Sequence, residues 1–353
     1  LAMLAAPMAA SDASASVPAT TPADPFESSY WTTPLEANTP IHPLSQEIID
    51  FMVADNDLDG CITLAGGEGN EWGMPIFTVD EDTPVHEVSS RKYYIPPEFA
   101  ALRIPDAARP AENSDGQLVI YDPIAGHVVE LSKAEYDSGD DSWSVGGGSI
   151  AYLDSNGLYA QVVGSDEPRN GGSYRGYNGA VATVHYDEVA AGEIRRVHKV
   201  SVNNTNEGHI FPFKGSDGDH TDPVIPLQGA RIRIKPGVDL ESKGLTPQAL
   251  VIARGLQEYG VVVGDTSGGA VVLTLEDTER SGRGDLWDLD RKSLCAITGD
   301  DLEVVLTGFA DVFETTFEAD VLQLLDKRIT YGCGSWDFCP DQPISRGQMA
   351  AFL

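Results

Sequence analysis

Arg196 and His198 stand two residues apart in EIRRVHKVSV, a segment whose alternation reads as a strand. Period two puts Ile194, Arg196, His198, Val200 and Val202 on one face and Arg195, Val197, Lys199 and Ser201 on the other. A guanidinium on the more apolar face needs an acceptor, because an unpaired buried charge is very costly. Two outcomes satisfy that need. One is a structural ion pair with an acid such as Asp187 or Asp265; the other is a concave sheet face that grips an anionic sugar.

Asp55, Asp57, Asp59 and Gly60 follow a predicted helix and match the opening of a calcium loop, with Ile62 apolar where such loops want it. The twelfth position is Gly66 rather than the bidentate Glu, so a plain acidic turn competes with calcium, and no other cofactor is expected. GDTSGG at 264–269 reads as a turn rather than a protease serine loop, since no His and Asp are set out around it in a family pattern. Trp143 and Tyr152 are of the kind that stack on sugar rings, although aromatics in strands usually belong to a core. Cys333 and Cys339 enclose the short loop GSWDF and read as a local disulfide. A pairing of Cys61 with Cys295 is a guess from sequence, and the CxxC spacing of zinc and redox sites is missing.

The elements that carry these residues are mostly strands. With 353 residues, 41% of them hydrophobic, the chain can bury a full core. The 36 glycines and 22 prolines punctuate short runs rich in Val, Ile, Tyr and Thr, which favours an all-β architecture. QLVIY and HVVEL flank the turn DPIAG and predict a hairpin. SIAYLDSNGLYAQVV, GAVATVHYDEV, EIRRVHKVSV, ARIRIKP, YGVVVGD, AVVLTLE and DLEVVL continue the strand series. Helices are expected at PLSQEIIDFMVAD with Ser45 as N-cap, at TPQALVIARGLQEYG with Thr246 as N-cap, and around DLWDLDRKSLCAI. The expected fold is mainly β: a sandwich or jelly roll over 31–306 with a few short helices, followed by a small helix-loop-helix module over 307–353.

A net charge of −32 argues against nucleic acid and anionic membrane surfaces as partners, since both need a basic field. LAMLAAPMAASDASA reads as the end of a signal segment, with Ala10 and Ala15 as candidate cleavage sites, and 1–30 otherwise has a Ser/Ala/Pro linker composition. The chain lacks an initiator Met and stops at Leu353 inside an amphipathic pattern, so a fragment clipped at both ends is expected. No later stretch reaches the ~20 apolar residues of a membrane helix, and export without membrane insertion is the expected fate.

From Phe309 onward, FADV, an apolar helix face of Phe317, Val321, Leu324 and Leu325, RITYGC, FCPDQPISR and QMAAFL follow one another at fixed spacing. Gly332 supports a sharp exit from the first helix, and Ser345 is placed to cap a second that carries Met349 inward. This stretch resembles the S-layer homology domain in its actinobacterial, two-cysteine form. The resemblance implies binding to cell-wall polysaccharide through a Thr-Arg-Ala-Glu motif, whose positions are held here by Ser345, Arg346, Gly347 and Gln348. Arg346 alone is retained, and a guanidinium suits an acidic sugar because it can hold a carboxylate bidentately. Pairing of Arg346 with a neighbouring acid is the structural alternative.

SDGQLVIYDPIAGHVVELSKAE, HYDEVAAGEIRRVHKV and IPLQGARIRIKP resemble an uncharacterised family of secreted bacterial β-rich proteins. Those proteins carry His at the positions of Gln117 and Arg196 and near Gly215. The combined expectation is a protein outside the cell, in the cell wall or S-layer, with glycan contacts at Arg346, Ser345, Gln348, Arg196 and His198. The alternative expectation is a secreted polysaccharide lyase or glycoside hydrolase displayed by the same anchor.

Overall fold

The computed structural model describes residue 26 and residues 29–54, 60–67, 72–312, 315–333, 336–345, 347 and 349. The chain is mainly β, with several sheets and few helices. A six-stranded sheet runs in the spatial order Thr63–Ala65, Val272–Thr274, His198–Val202, Val261–Thr266, Arg231–Ile234, Leu302–Val305. A four-stranded sheet runs Gly147–Tyr152, His127–Ser132, Leu118–Asp122, Ile76–Thr78. The expected hairpin is its centre, with Ile120 opposite Val129.

Alternation along the strands builds the layers. Val119, Tyr121, Val128 and Ala151 of the smaller sheet meet Val262 of the larger one and Val197 just before its strand His198–Val202, with Phe213, Tyr177 and the segment Ala180–Ala182 between them. The opposite face of the larger sheet buries Val200, Val202, Ile232, Val261 and Val263 under the helices Ser45–Ala54 and Pro247–Glu258. The opposite face of the smaller sheet buries Leu118, Ile120, Val129 and Leu131 beneath a three-stranded sheet that contains Trp143. Each fully buried aliphatic side chain contributes about 1.5–3 kcal/mol, so the alternation is strongly enforced. Four strand pairings are parallel, Thr63–Ala65 with Val272–Thr274 among them, whereas a sandwich or jelly roll of hairpins would be antiparallel. The connection from His198–Val202 to its parallel neighbour Val261–Thr266 runs through Arg231–Ile234 and the helix Pro247–Glu258.

Thr246 caps its helix as expected, its side chain accepting from the Ala249 N–H with Pro247 in the first turn. Ser45 does not cap: it is the first helical residue, and its hydroxyl accepts the N–H of Val304 at 2.8 Å. GAVATVHYDEV forms two short helices, Gly179–Ala182 and Tyr186–Ala191, instead of a strand. Asn178 starts the first by accepting from the Ala180 N–H, and Gly192 in the left-handed region ends the second. The helix expected around DLWDLDRKSLCAI is a series of turns. There Arg291 O accepts the Leu64 N–H at the sheet edge, Cys295 is bonded to Cys61, and Trp287, Leu289, Leu294 and Ile297 reach the core without helical periodicity.

The helix Glu318–Asp326 matches expectation, and Val321 and Leu325 pack with Leu306, Phe309 and Val312 in a separate small cluster. Phe317 is exposed and Leu324 half-buried, so the buried face is narrower than the sequence suggests. Met349 is also exposed rather than turned inward. Trp336 stacks on His42 at 3.8 Å between ring centroids and so ties this segment to the main core. Both disulfides, Cys333–Cys339 and Cys61–Cys295, are formed. Among the described residues no helix is long and apolar enough to cross a membrane.

Candidate functional site

At one end of the layer between the two large sheets lies an open cleft of about 990 Å³. Each sheet supplies part of it through side chains on its inward face. Glu130 shares a face with Val128 on the strand His127–Ser132, and so stands at an inward position where the apolar pattern would place a hydrophobe. Lys199 shares a face with Val197 in the same way. Asp265 arrives by a different device. The register with the strand His198–Val202 shifts so that Val200 pairs with Val263 and Ser201 with Asp265, leaving Gly264 as an extra residue. Such a bulge reverses the facing of everything after it and turns Asp265 toward Lys199. A Cβ at 264 would stand 2.4 Å from Lys199 Cγ, so a larger residue there would displace the Lys199 side chain.

Two loops complete the cleft. Lys214 N–H donates to Arg175 O at 2.9 Å, which joins the loop carrying Arg175 to the one carrying Asp217. The Arg175 guanidinium bonds Asp217 and also reaches Asp265 at 2.7 Å, while Lys199 lies 3.7 Å from Asp265. Asp217 further accepts from the amide of Gln228 and, at 3.2 Å, from the Thr266 hydroxyl. Glu130 is held more sparingly. Its Oε2 accepts the Gly179 N–H at 2.7 Å and lies 3.4 Å from the Ser149 hydroxyl, and its Oε1 takes no hydrogen bond from the described residues. Ser149 is itself oriented by the Asn178 side-chain amide at 3.1 Å. Beside these residues the hydroxyl of Tyr159 is buried without a partner in hydrogen-bonding geometry. Tyr93, Tyr94 and Tyr174, all exposed, form the rim.

The carboxyls sit in different electrostatic states. Burial drives Glu130 above the usual carboxylate range, and the Gly179 bond and the charges of Lys199 and Arg175 offset only part of this. Burial also raises Asp265, against the pull of Lys199 and Arg175. On Asp217 burial acts in the same sense, but the hydrogen bond and charge of Arg175 prevail and leave it below its ordinary value. The cleft therefore offers a carboxyl inclined to keep its proton and another inclined to stay ionised, the arrangement that acid–base chemistry uses.

Arg196 and His198, singled out from sequence, lie elsewhere. Arg196 and His198 are buried, at 3% and 1% exposure, and neither lines the cleft. The partner of Arg196 is Glu188 at 2.8 Å, while Asp187 pairs with Arg283 and Asp265 with Arg175. The structural outcome of the strand's alternation is the one realised. Trp143 and Tyr152 are likewise buried, and Tyr152 carries the Arg169 guanidinium over its ring at 3.7 Å. Ser345 is exposed. Arg346 and Gln348, like Asp55, Asp57 and Asp59, lie outside the described residues. Among the described residues no group of three His, Cys, Asp or Glu converges as a cation site. Gln117 does line the cleft. Glu130 and Lys199 were detectable as charges at inward strand positions; Asp217, Asp265 and Arg175 depend on a bulge and two loops. No known protein family, curated protein or solved structure matches the chain.

Proposed function

We propose that this is an exported cell-envelope protein whose cleft takes carbohydrate and whose C-terminal region holds it to wall polysaccharide. The cleft carries the first part: exposed tyrosines at the rim and a floor of hydroxyls, amides and carboxyls supply the flat apolar faces and fixed polar partners that a sugar chain needs. Tyr93 packs against Gly147 and Tyr174 against Gly215, so both rings stand on backbone rather than on mobile side chains. Two disulfides agree with an oxidising compartment. The anchoring part rests on the resemblance of 309–353 to the S-layer homology domain.

Isothermal titration with wall-derived and neutral oligosaccharides tests the cleft. Tyr94→Ala and Tyr174→Ala should each weaken binding about tenfold, equivalent to about 1.4 kcal/mol. Unchanged affinity in both variants would place the sugar site elsewhere. For the anchor, a pull-down on purified cell-wall polysaccharide should retain the chain and lose much of it on Arg346→Ala. Equal retention of the region 31–306 alone would remove the anchoring role from the C-terminus.

A further inference from the structure

We propose that the cleft hydrolyses the glycosidic bonds of a neutral or amine-bearing glycan, with Glu130 as proton donor and Asp217 as the base that activates water. The proposal rests on the carbohydrate reading of the cleft and adds both the reaction and the substrate class.

The reaction follows from how the two carboxyls are held. Glu130 is in no ion pair among the described residues, keeps Oε1 without a hydrogen bond, and lines the same cavity as Asp217. A carboxyl so placed is suited to retain a proton until a basic oxygen reaches it. Asp217 is fixed from three sides by Arg175, Gln228 and Thr266, and its side chain is still 33% exposed. It is ionised, oriented and reachable by water. As the bond from the anomeric carbon to the leaving oxygen breaks, its electron pair goes to that oxygen, which takes the Glu130 proton. Water forms the new carbon–oxygen bond and gives its proton to Asp217. Asp217 releases that proton to solvent and Glu130 regains one from it, so the sum is glycoside plus water to two hydroxyl products.

The substrate class follows from charge. Arg175 is engaged by Asp217 and Asp265, Arg169 by Glu167 at 2.7 Å, and the Lys214 ammonium is bonded to Gln161 at 3.1 Å. Lys199 is spent on Asp265. Glu98 and Asp115 line the cleft without an ion pair among the described residues. A uronate or phosphate would meet an excess of negative charge and no uncommitted guanidinium, whereas a hydroxyl, acetamido or ammonium group would meet acceptors.

The test incubates the full chain with oligosaccharides from chitin, xylan and β-glucan, with chitosan oligomers, and with oligogalacturonate, following reducing ends and, by calorimetry, binding. New reducing ends are expected from a neutral or chitosan substrate and not from oligogalacturonate. Glu130→Gln, which can still accept from the Gly179 N–H, should lower the rate by about 10²–10⁴-fold while Kd stays within about threefold. Asp217→Asn is the second variant and should act alike, with circular dichroism confirming that each is folded. Binding by the wild type without release of reducing ends would overturn the hydrolysis and leave the carbohydrate site standing. Absence of binding to every oligosaccharide would overturn both. Cleavage of oligogalacturonate at a comparable rate would overturn the substrate class, and full activity in both folded variants would overturn the assignment of Glu130 and Asp217.

Discussion

Gly179 donates its backbone N–H to Glu130 Oε2 at 2.7 Å, and a Cβ at position 179 would stand 2.6 Å from Glu130 Oε1. The glycine therefore does two things for the candidate acid. It satisfies one oxygen and it leaves room for the other. Gly179→Ala should cost about 1–3 kcal/mol by denaturant titration, the usual penalty of overpacking, and should abolish oligosaccharide binding or turnover by displacing the carboxyl. Combined with Glu130→Ala the same substitution should cost much less, because the clash has lost its partner. Strictly additive effects would show that the contact is unimportant.

Arg196 is the second test, because it separates structure from site. Its Nη2 donates to Glu188 Oε2 at 2.8 Å, and Glu188 also takes the His185 N–H at 3.4 Å at the start of the helix Tyr186–Ala191. Arg196→Ala would leave that partly buried carboxylate uncompensated, and unfolding should become easier by about 3–5 kcal/mol. Arg196→Leu with Glu188→Gln should recover most of the loss. Ligand affinity in the cleft should remain unchanged in the folded protein. Loss of binding with stability intact would return Arg196 to the site.

Much of this architecture is legible in the sequence, and the reasons for the remainder are local. The hairpin around Asp122–Gly126 and the helix capped by Thr246 follow from turn chemistry and periodicity that neighbouring elements reinforce. Val184 shows the limit. It lies in an apolar, β-branched run that reads as a strand, yet Asn178 and Gly192 bound two short helices there and Val184 makes one isolated bridge to Leu275. The alternation of EIRRVHKVSV correctly puts Arg196 and His198 inward, but facing does not say which side of a sheet holds the cleft. Lys199, assigned to the other face, lies 3.7 Å from Asp265, which does border it. Asp265 is hidden more deeply, since the bulge at Gly264 reverses its facing and no two-residue period can represent an inserted residue.

His198 gives a pH signature. Burial, then the nearby Arg196 charge, holds its imidazole well below the ordinary value of 6.5, against the opposing pull of the Val181 backbone carbonyl. At pH 7 and above the ring is neutral both folded and unfolded, so it contributes no pH dependence. Below about 6.5 the unfolded chain takes up a proton that the folded chain refuses, so stability falls as pH falls, by about 1.4 kcal/mol per unit for one such group. His185 is lowered well below 6.5 by burial and Arg196 and acts in the same direction, while the raised Glu130 and Asp265 act oppositely in their own window above the unfolded carboxylate range. Subtraction isolates the term. His198→Phe keeps a ring in the core, and the stability difference between wild type and variant should slope with pH below about 6.5 and be flat above it. A flat difference throughout pH 5–8 would mean that His198 titrates normally.

The two disulfides should differ in weight. Cys61–Cys295 spans a sequence separation of 234 and joins the segment after the first helix to the turns that replace the expected helix at 285–297, whereas Cys333–Cys339 spans 6. A cross-link acts chiefly by restricting the unfolded chain, and loop-closure entropy grows with the logarithm of the loop. On that basis, replacing Cys61 and Cys295 together by Ala should cost about 5 kcal/mol, and replacing Cys333 and Cys339 about 2 kcal/mol. The long bridge carries a second consequence. Cys295 lies in a segment that reaches the core through Leu294 and Ile297 and is held internally by separate turn hydrogen bonds, such as Cys295 N–H to Lys292 O at 2.8 Å, so loss of the bridge should loosen 285–298 before the sheet. Hydrogen exchange on the Cys61→Ala/Cys295→Ala variant should show faster exchange there while Val261–Val263 stays protected. Uniform loosening of the whole chain would mean that the bridge secures the fold globally and not that segment.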